Sequence, residues 1–333
     1  MAKDTNTTSV LRSGAMIADV ADDNVETISA PLGHTLVDTA RDDDRIVGLS
    51  ADLAKYTDMH IFRDAMPDRF YQMGMAEMAM MGAAAGLAQE GFVPFVSTYS
   101  VFATRRAYDW LLLDIAAQNL NVNLVCALPG LTTGYGPSHM AFDDLAILRS
   151  CPNLTILDPC DATDIQSATP AMVADEGPTY MRLLRGRVPK ILHNYDGTFE
   201  LGKARRLRDG DSALVISSGL ATQRVLEATE ELDKDGIDVE VLHLATVKPL
   251  DEAAVLDAIT RSHRPIFTAE NHSVIGGLFE SVAAAMAKSG RVRKVTPIAL
   301  PDEFPDAGAL PTLEDRYGIS AAAMAKTIRA SQG

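Results

Sequence analysis

The chain has 333 residues, enough for two domains of ordinary size, and its 47% apolar and 23% charged residues are typical of a globular protein. Acidic residues outnumber basic ones by 45 to 30, which argues against a nucleic-acid-binding surface and against attachment to an anionic membrane. No uncharged apolar run is long enough to span a bilayer, and the polar first residues do not predict a secretory signal.

In the first half of the chain, short apolar runs alternate with longer segments of helical pattern. Residues 1–25 are polar and are expected to form an N-terminal arm. The alternation predicts a doubly wound α/β domain over residues 26–190, with a mostly parallel sheet covered by helices on both faces. The predicted strands are 46–49, 93–96, 122–127, 154–157 and 179–183, and the predicted helices are 72–90, 100–119, 141–149 and 161–174.

A basic segment then interrupts the alternation. Residues 185–208 carry seven Lys or Arg residues against Asp196 and Glu200, together with several turn-forming residues. Such a segment could bind an anion, but a solvated linker is the simpler interpretation. The pattern resumes afterwards and predicts a second, smaller α/β domain over residues 191–333. Its predicted strands are 213–217, 239–244, 265–269 and 295–300, and its predicted helices are 219–234, 251–261, 276–288 and 319–330.

The three cysteines form no Cys-x-x-Cys pair, and their number is odd. This pattern predicts neither a disulfide framework nor a structural zinc site, and it favours a reducing, cytoplasmic location. Cys126 lies in an apolar run and is expected to be a packed thiol rather than a nucleophile.

Glu77 is the single charged residue in an otherwise apolar stretch. Residues 73–88 have an apolar side chain or glycine on every helical face, so this helix is expected to be buried on all sides. A buried carboxylate costs several kcal/mol unless it is protonated or paired. Because no basic residue lies within one helical turn, its partner must come from elsewhere in the fold, from another chain or from a ligand.

Two loops that follow predicted strands carry further candidate residues. Tyr99 and Phe102 lie at the carboxyl edge of the predicted sheet, where doubly wound folds bind ligands, and could present a ring face to a flat heterocycle. Residues 129–139 follow the next strand, and their glycines permit tight turns before His139. Taken singly, two such aromatic residues are more often core residues, and a lone histidine in a loop is usually structural or merely exposed.

Together, these segments have the order and spacing found in the transketolase family. The chain resembles the C-terminal half of a transketolase, a pyrimidine-binding domain followed by the transketolase C-terminal domain, over residues 28–330. The block around Glu77 is the most specific part of the resemblance. The matching segments are 49–53, 67–70, 74–77, 84–88, 106–109, 136–139 and 182–186 in the first half, and 211–219, 247–250, 270–272 and 276–278 in the second.

The resemblance implies a thiamine diphosphate enzyme. The family's glutamate that matches Glu77 hydrogen-bonds a ring nitrogen of the cofactor's aminopyrimidine and promotes the imino tautomer that removes the thiazolium C2 proton. Phe102 matches the aromatic residue that stacks on the pyrimidine, with Tyr99 beside it. His139 matches a histidine at the hydroxyls of the donor, and Arg185 matches an arginine that binds the substrate's distal phosphate.

The predicted substrate-binding residues are His139, Arg185, Tyr135 and Arg106, and one of them departs from the family's pattern. Tyr135 stands where many transketolases have an acidic residue that accepts a hydrogen bond from the acceptor's C2 hydroxyl. The serine that often follows the Asp-Leu motif and the histidine of a Thr-His-Asp stretch are also absent, which leaves Arg185 as the phosphate ligand. We therefore expect an acceptor other than an ordinary 2R-hydroxy aldose phosphate.

The family's Gly-Asp-Gly sequence, which holds a divalent metal and the cofactor's diphosphate, is absent. The nearest string, Gly210-Asp211-Ser212, lies in the second predicted domain and has no asparagine at the required spacing. The resemblance therefore implies a β subunit without metal ligands of its own, completed by a separate α chain that binds the diphosphate and Mg²⁺ or Ca²⁺. We expect an α2β2 assembly with a β–β contact and with active sites between chains.

Three functions remain open at this point. The first is a split transketolase that transfers a two-carbon ketol unit from a ketose donor to an aldehyde acceptor. The second is the β subunit of a 2-oxoacid dehydrogenase E1 or a deoxyxylulose-phosphate-synthase-like enzyme; segments 106–109 and 136–139 favour the transketolase or synthase side. The third is a non-catalytic stabilising subunit, against which Glu77, Phe102 and His139 argue.

Overall fold

The structure, a computed structural model, describes residues 25–261 and 263–332, so nearly all of the expected N-terminal arm lies outside the described residues. The strands are β1 (Thr27–Ser29), β2 (Ile46–Ser50), β3 (Phe70–Gln72), β4 (Val93–Tyr99), β5 (Asn123–Ala127), β6 (Thr155–Leu157), β7 (Thr179–Leu183), β8 (Arg187–Pro189), β9 (Arg205–Arg208), β10 (Ala213–Ser217), β11 (Val239–His243), β12 (Thr246–Lys248), β13 (Ile266–Ser273) and β14 (Val295–Leu300). The helices are α1 (Pro31–Asp42), α2 (Met59–Ala65), α3 (Glu77–Gln89), α4 (Ser100–Arg105), α5 (Tyr108–Trp110), α6 (Asp144–Arg149), α7 (Ala162–Ala174), α8 (Gly219–Asp233), α9 (Glu252–Thr260), α10 (Leu278–Ser289), α11 (Leu310–Arg316) and α12 (Ala321–Arg329), with a π-helical turn at Leu111–Ala116.

The first sheet has seven strands in the order β12-β6-β7-β5-β4-β2-β3. All neighbours are parallel except β12, which runs antiparallel to β6. Successive residues of β4 point to opposite faces of the sheet, so that Phe95 joins the hydrophobic cluster on one face and Val96 joins the cluster on the other. Two buried faces explain why the strands read as continuous apolar runs in the sequence. The predicted doubly wound α/β architecture is confirmed.

The second sheet has five strands in the order β14-β13-β10-β11-β9, with β9 antiparallel and the rest parallel. Helices α8 and α12 pack on one face around Val215 and Phe267. Helices α9 and α10 pack on the other face around Leu214 and Ile216. The second half of the chain is therefore also a layered α/β unit, as the alternation predicted.

The basic segment 185–208 is more structured than the linker interpretation allowed. Strand β8 pairs antiparallel with β1, and β9 forms an edge of the second sheet. Several of its cations have partners: Lys190 pairs with Glu26, and Arg205 donates to the carbonyl oxygens of Leu192 and Tyr195. The sequence analysis missed these two strands because they carry charged residues and have turn-forming residues beside them. Strand β8 pairs only with β1, and β9 lies at a sheet edge, so neither shows the continuous apolar run of a central strand.

Two predicted helices needed correction. The helix expected over 72–90 begins at Glu77, because residues 70–72 form β3 and the following residues form a loop. The helix expected over 100–119 is divided into α4, α5 and the π-helical turn. The prediction that the Glu77 helix is buried on all sides is also wrong for the chain by itself, since Met78 is 43% exposed and the preceding Met75 is 82% exposed.

All three cysteines are buried and free of disulfides, as the sequence predicted. Burial raises the pKa of the Cys126 thiol far above its ordinary value, which is consistent with a packed thiol. Among the described residues, no helix has the length and apolar character needed to cross a membrane.

Candidate active site

A cavity of about 530 Å³ opens at the carboxyl edge of the first sheet, between β2 and β4. This position is the switch point of the sheet, because the chain places β3 on one side of β2 and β4 on the other. Ligand sites of doubly wound folds lie in such crevices, where the loops diverge. The cavity is lined by Ala51, Asp52, Leu53, Tyr56, Met75, Glu77, Tyr99, Phe102, Arg106, Tyr135 and His139.

Glu77 is the first residue of α3, and its side chain is only 5% exposed. The N-terminus of a helix favours a carboxylate, because the unpaired N–H groups there carry partial positive charge. The partner that the sequence left open is Arg106, whose Nη1 lies 3.2 Å from Glu77 Oε1. It follows α4, the short helix after the next strand, β4, and lies 29 residues along the chain. Parallel strands bring the segments that follow their carboxyl ends to one edge of the sheet, which explains the long-range pairing.

Aromatic rings form one wall of the cavity. The ring centroids of Tyr99 and Phe102 are 5.7 Å apart, and those of Phe102 and His139 are 5.5 Å apart. The Tyr135 ring lies 5.4 Å from the His139 ring and is 40% exposed. Burial raises the pKa of the Tyr99 phenol, which is therefore neutral at physiological pH. The wall offers flat apolar faces beside a single buried carboxylate.

The loop that carries His139 is held from both halves of the chain. Arg105 donates to the carbonyl oxygen of Pro137 at 2.7 Å and pairs with Asp143 at 2.7 Å. From the second half, the N–H of Gly308 donates to the carbonyl oxygen of Gly134 at 3.0 Å. The Ser138 hydroxyl lies 2.9 Å from His139 Nδ1, which leaves Nε2 available to a ligand in the cavity.

Six of the seven site residues selected from the sequence line this cavity, namely Glu77, Tyr99, Phe102, Arg106, Tyr135 and His139. Arg185 is not among the lining residues. It is half-buried, and its Nε has no hydrogen-bond partner among the described residues. Its positive charge acts on Tyr99, where it opposes the effect of burial on the pKa. Arg185 therefore lies near the wall of the cavity rather than on its surface.

The sequence analysis did not select five residues that also line the cavity: Ala51, Asp52, Leu53, Tyr56 and Met75. Asp52 has a φ of +58°, a left-handed conformation that aspartate tolerates better than most residues. Its position directly after the apolar residues of β2 was the signal that could have found it, since the carboxyl ends of parallel strands are where ligands bind.

No group of three or more His, Cys, Asp or Glu side chains in the described part of the chain is arranged to hold a metal ion. Asp211, in the string nearest to a family metal motif, is fully exposed at the amino end of β10. The described residues that line the cavity, with flat rings beside one buried carboxylate, thus fit a flat heterocycle.

Comparisons with known proteins agree with this geometry. The family model for the transketolase pyrimidine-binding domain matches residues 26–190, and the model for the transketolase C-terminal domain matches residues 202–324. The transketolase family protein y4mN of Sinorhizobium fredii is 60% identical over 311 residues, 93% of this chain and 90% of that protein. The 6-deoxy-6-sulfo-D-fructose transketolase subunit SqwH of a Clostridium species is 38% identical, over 86% of this chain and 88% of that subunit. A split-gene transketolase solved as an inactive β4 tetramer superposes with a TM-score of 0.82 at 33% identity, covering 92% of this chain and 99% of that one.

Proposed function

Because this chain belongs to the transketolase family, we propose that it is the β subunit of a split, thiamine diphosphate-dependent transketolase. The reaction is the transfer of a two-carbon ketol unit from a ketose donor to an aldehyde acceptor. One observation carries the proposal: a buried carboxylate, Glu77, and a stacking ring, Phe102, line the same cavity as His139. An aminopyrimidine needs the carboxylate of Glu77 and the ring of Phe102, and a hydroxylated substrate needs the imidazole of His139.

The cavity fits the pyrimidine end of the cofactor. Thiamine diphosphate supplies a thiazolium carbon that becomes nucleophilic when it loses its proton. Glu77, whose side chain is 5% exposed, would share a proton with a ring nitrogen of the bound pyrimidine. Phe102 and Tyr99 offer apolar ring faces on which the pyrimidine would stack, and such stacking would orient it toward the carboxylate.

His139 and Tyr135 lie on the substrate side of the cavity. His139 has one ring nitrogen bound by Ser138, so the other can donate to or accept from a hydroxyl of the donor. The guanidinium of Arg185, whose charge lowers the pKa of the Tyr99 phenol against the effect of burial, is assigned to an anionic end of the substrate. Tyr135, next to His139, narrows the acceptor's path by its size rather than by charge.

The diphosphate and its metal, Mg²⁺ or Ca²⁺, belong in this proposal to an α chain, because the described residues offer no metal cluster. The relative SqwH is itself a subunit, and the split-gene neighbour was solved as an assembly of β chains alone. We assign the β–β contact of an α2β2 enzyme to the uncovered apolar face of α3 and the helices beside it. This face includes Met78 on α3, Trp110 on α5 and Leu113 in the π-helical turn, each more than a third exposed.

The test is co-expression with the α chain encoded beside this gene, followed by assay of the purified complex with ketose donors and aldehyde acceptors. We expect two-carbon transfer that needs both chains and thiamine diphosphate. Release of CO₂ from a 2-oxoacid by the same complex would instead indicate an E1 or a synthase. An α chain that is equally active without this subunit would indicate a stabilising role, and either result would contradict the proposal.

A further inference from the structure

Arg106 makes two contacts inside the cavity at once. Its Nη1 is 3.2 Å from Glu77 Oε1, and its guanidinium carbon lies 4.0 Å from the centroid of the Phe102 ring. The guanidinium thus stacks on a ring and donates to a carboxylate with a single planar group. These are the two contacts that the proposed function assigns to the aminopyrimidine of the cofactor.

The chemistry of the two groups explains the coincidence. A guanidinium is flat, delocalised and rich in N–H donors, and it stacks readily on aromatic faces. An aminopyrimidine is also flat and presents nitrogen to a carboxylate. In the cofactor-free chain, the carboxylate of Glu77 is 5% exposed and requires a partner, and Arg106 provides one. Arg106 occupies Glu77 Oε1 and one face of the Phe102 ring. A pyrimidine that uses the same oxygen and the same ring face cannot be bound while Arg106 is there.

The neighbouring Arg105 shows that this arrangement is specific to Arg106. Arg105 is fixed by Asp143 and by the carbonyl oxygens of Pro137 and Met140, all of them on the loop that carries His139. Arg106 follows the last residue of α4, and its side chain is 54% exposed. It can therefore rotate toward solvent without disturbing the packing of either helix.

We propose that Arg106 holds the place of the aminopyrimidine in the cofactor-free chain and leaves it when the cofactor binds. This inference rests on the proposed function, because it requires a pyrimidine site between Glu77 and Phe102. Its consequence is a competition: the cofactor displaces an ion pair and a cation–π contact, and it binds this chain less tightly than the shape of the cavity alone would allow. Until the pyrimidine reaches the site, Arg106 also keeps the carboxylate of Glu77 paired.

The experiment measures binding of thiamine, which has the pyrimidine but not the diphosphate, to the full-length chain by titration calorimetry. Fluorescence of Trp110, the single tryptophan, gives a second readout four residues from Arg106. We compare the wild type with Arg106→Ala and with Arg106→Met, which keeps the apolar stem but removes the charge. The charge-matched control is Arg41→Ala, on the last turn of α1 before β2 and hence at the opposite edge of the sheet.

We expect both Arg106 variants to bind thiamine about tenfold more tightly than the wild type, because the competing ion pair and cation–π contact are gone. Arg41→Ala should bind thiamine as the wild type does. Unchanged or weaker binding by the folded Arg106 variants, with measurable binding by the wild type, would overturn the inference and leave the pyrimidine site standing. Absence of thiamine binding by the wild type and every variant would overturn the pyrimidine site itself.

Discussion

The guanidinium of Arg182 on β7 donates to the backbone carbonyl oxygen of Asn271 on β13, at 2.9 Å, and so joins the two halves of the chain. The same guanidinium pairs with Asp144 at 2.9 Å and with Asp158 at 3.1 Å, and all three side chains are at most 3% exposed. These charges offset one another only while the network is complete, because each is far from water. The junction behind the active-site loops is therefore held by buried charge as well as by apolar packing.

Arg182→Met should destabilise the protein by about 3–5 kcal/mol, because two buried carboxylates lose their cation. Chemical denaturation of the purified chain measures the change in the free energy of unfolding. The matched control is Arg329→Met, which removes an arginine from an exposed ion pair with Asp235 and should leave the midpoint unchanged. Equal effects of the two substitutions would show that the buried network does not stabilise the junction.

Glu270→Gln should change the dependence of stability on pH. Burial raises the pKa of Glu270 to about 7, although the N–H groups of Leu278 and Phe279 donate to its carboxylate. The native chain therefore holds a proton that the unfolded chain releases above about pH 4.5. The stabilising contribution is complete below that pH and is lost as the pH rises through 7. His272, 3.9 Å away, has its pKa lowered by burial and acts in the opposite direction.

Denaturation of the wild type and Glu270→Gln at several pH values between 4.5 and 8 isolates this contribution, since His272 is common to both proteins. The variant should gain stability relative to the wild type as the pH rises, because glutamine carries no charge to desolvate. Parallel stability curves over this range would contradict the raised pKa of Glu270.

Much of the fold was predictable because buried parallel strands leave continuous apolar runs in the sequence. Strands β4, β5 and β7 are such runs. Strands β3, β9 and β12 were missed because each is short and lies at a sheet edge. The start of α3 was misplaced because methionine and glycine before Glu77 are as apolar as the helix itself, so hydrophobic pattern alone gives no boundary.

The candidate site was predictable to a similar degree, and for a related reason. Glu77 stood out as a lone charge in apolar surroundings, and Phe102 and His139 each followed a strand. Parallel topology then brings those loops to one edge of the sheet. The pairing of Arg106 with Glu77 was not predictable, because it depends on the side-chain geometry between the start of α3 and the end of α4, 29 residues apart.

The chain by itself should bind thiamine diphosphate weakly and without dependence on Mg²⁺, because its described residues offer no metal cluster. Titration calorimetry with and without Mg²⁺, before and after addition of the α chain, measures this. Tight binding that requires both Mg²⁺ and the α chain is the expected result. Tight, Mg²⁺-dependent binding by the single chain would show that the diphosphate site lies in this subunit.

Glu77→Gln should abolish turnover in the reconstituted enzyme while sparing assembly. The amide has the size of the carboxylate but does not exchange a proton with the pyrimidine, so ionisation at C2 should slow by about 10²–10⁴-fold. Exchange of the C2 proton, followed by NMR, measures that step directly. Phe102→Ala is the contrasting variant and should weaken cofactor binding by about 1 kcal/mol. Near-normal C2 exchange in Glu77→Gln would remove Glu77 from its proposed role.

The last prediction concerns the acceptor and depends on Tyr135, whose ring lies 5.4 Å from that of His139 on the wall of the cavity. The family's acidic residue at this position accepts a hydrogen bond from the C2 hydroxyl of an aldose. A tyrosine is neutral and larger, so it selects by shape more than by the configuration of that hydroxyl. Arg185, the single predicted phosphate ligand, holds a dianion less firmly than several cations do.

The reconstituted enzyme should therefore not prefer ribose 5-phosphate or glyceraldehyde 3-phosphate over their 2-deoxy and unphosphorylated analogues. Comparison of kcat/KM across these four kinds of acceptor measures the preference. Tyr135→Asp should shift it toward the 2-hydroxy aldose phosphates, because the carboxylate regains an acceptor for the C2 hydroxyl. The control is Tyr71→Phe, an exposed tyrosine on β3 that does not line the cavity. A strong preference for the two ordinary phosphates that Tyr135→Asp leaves unaltered would show that Tyr135 does not determine specificity.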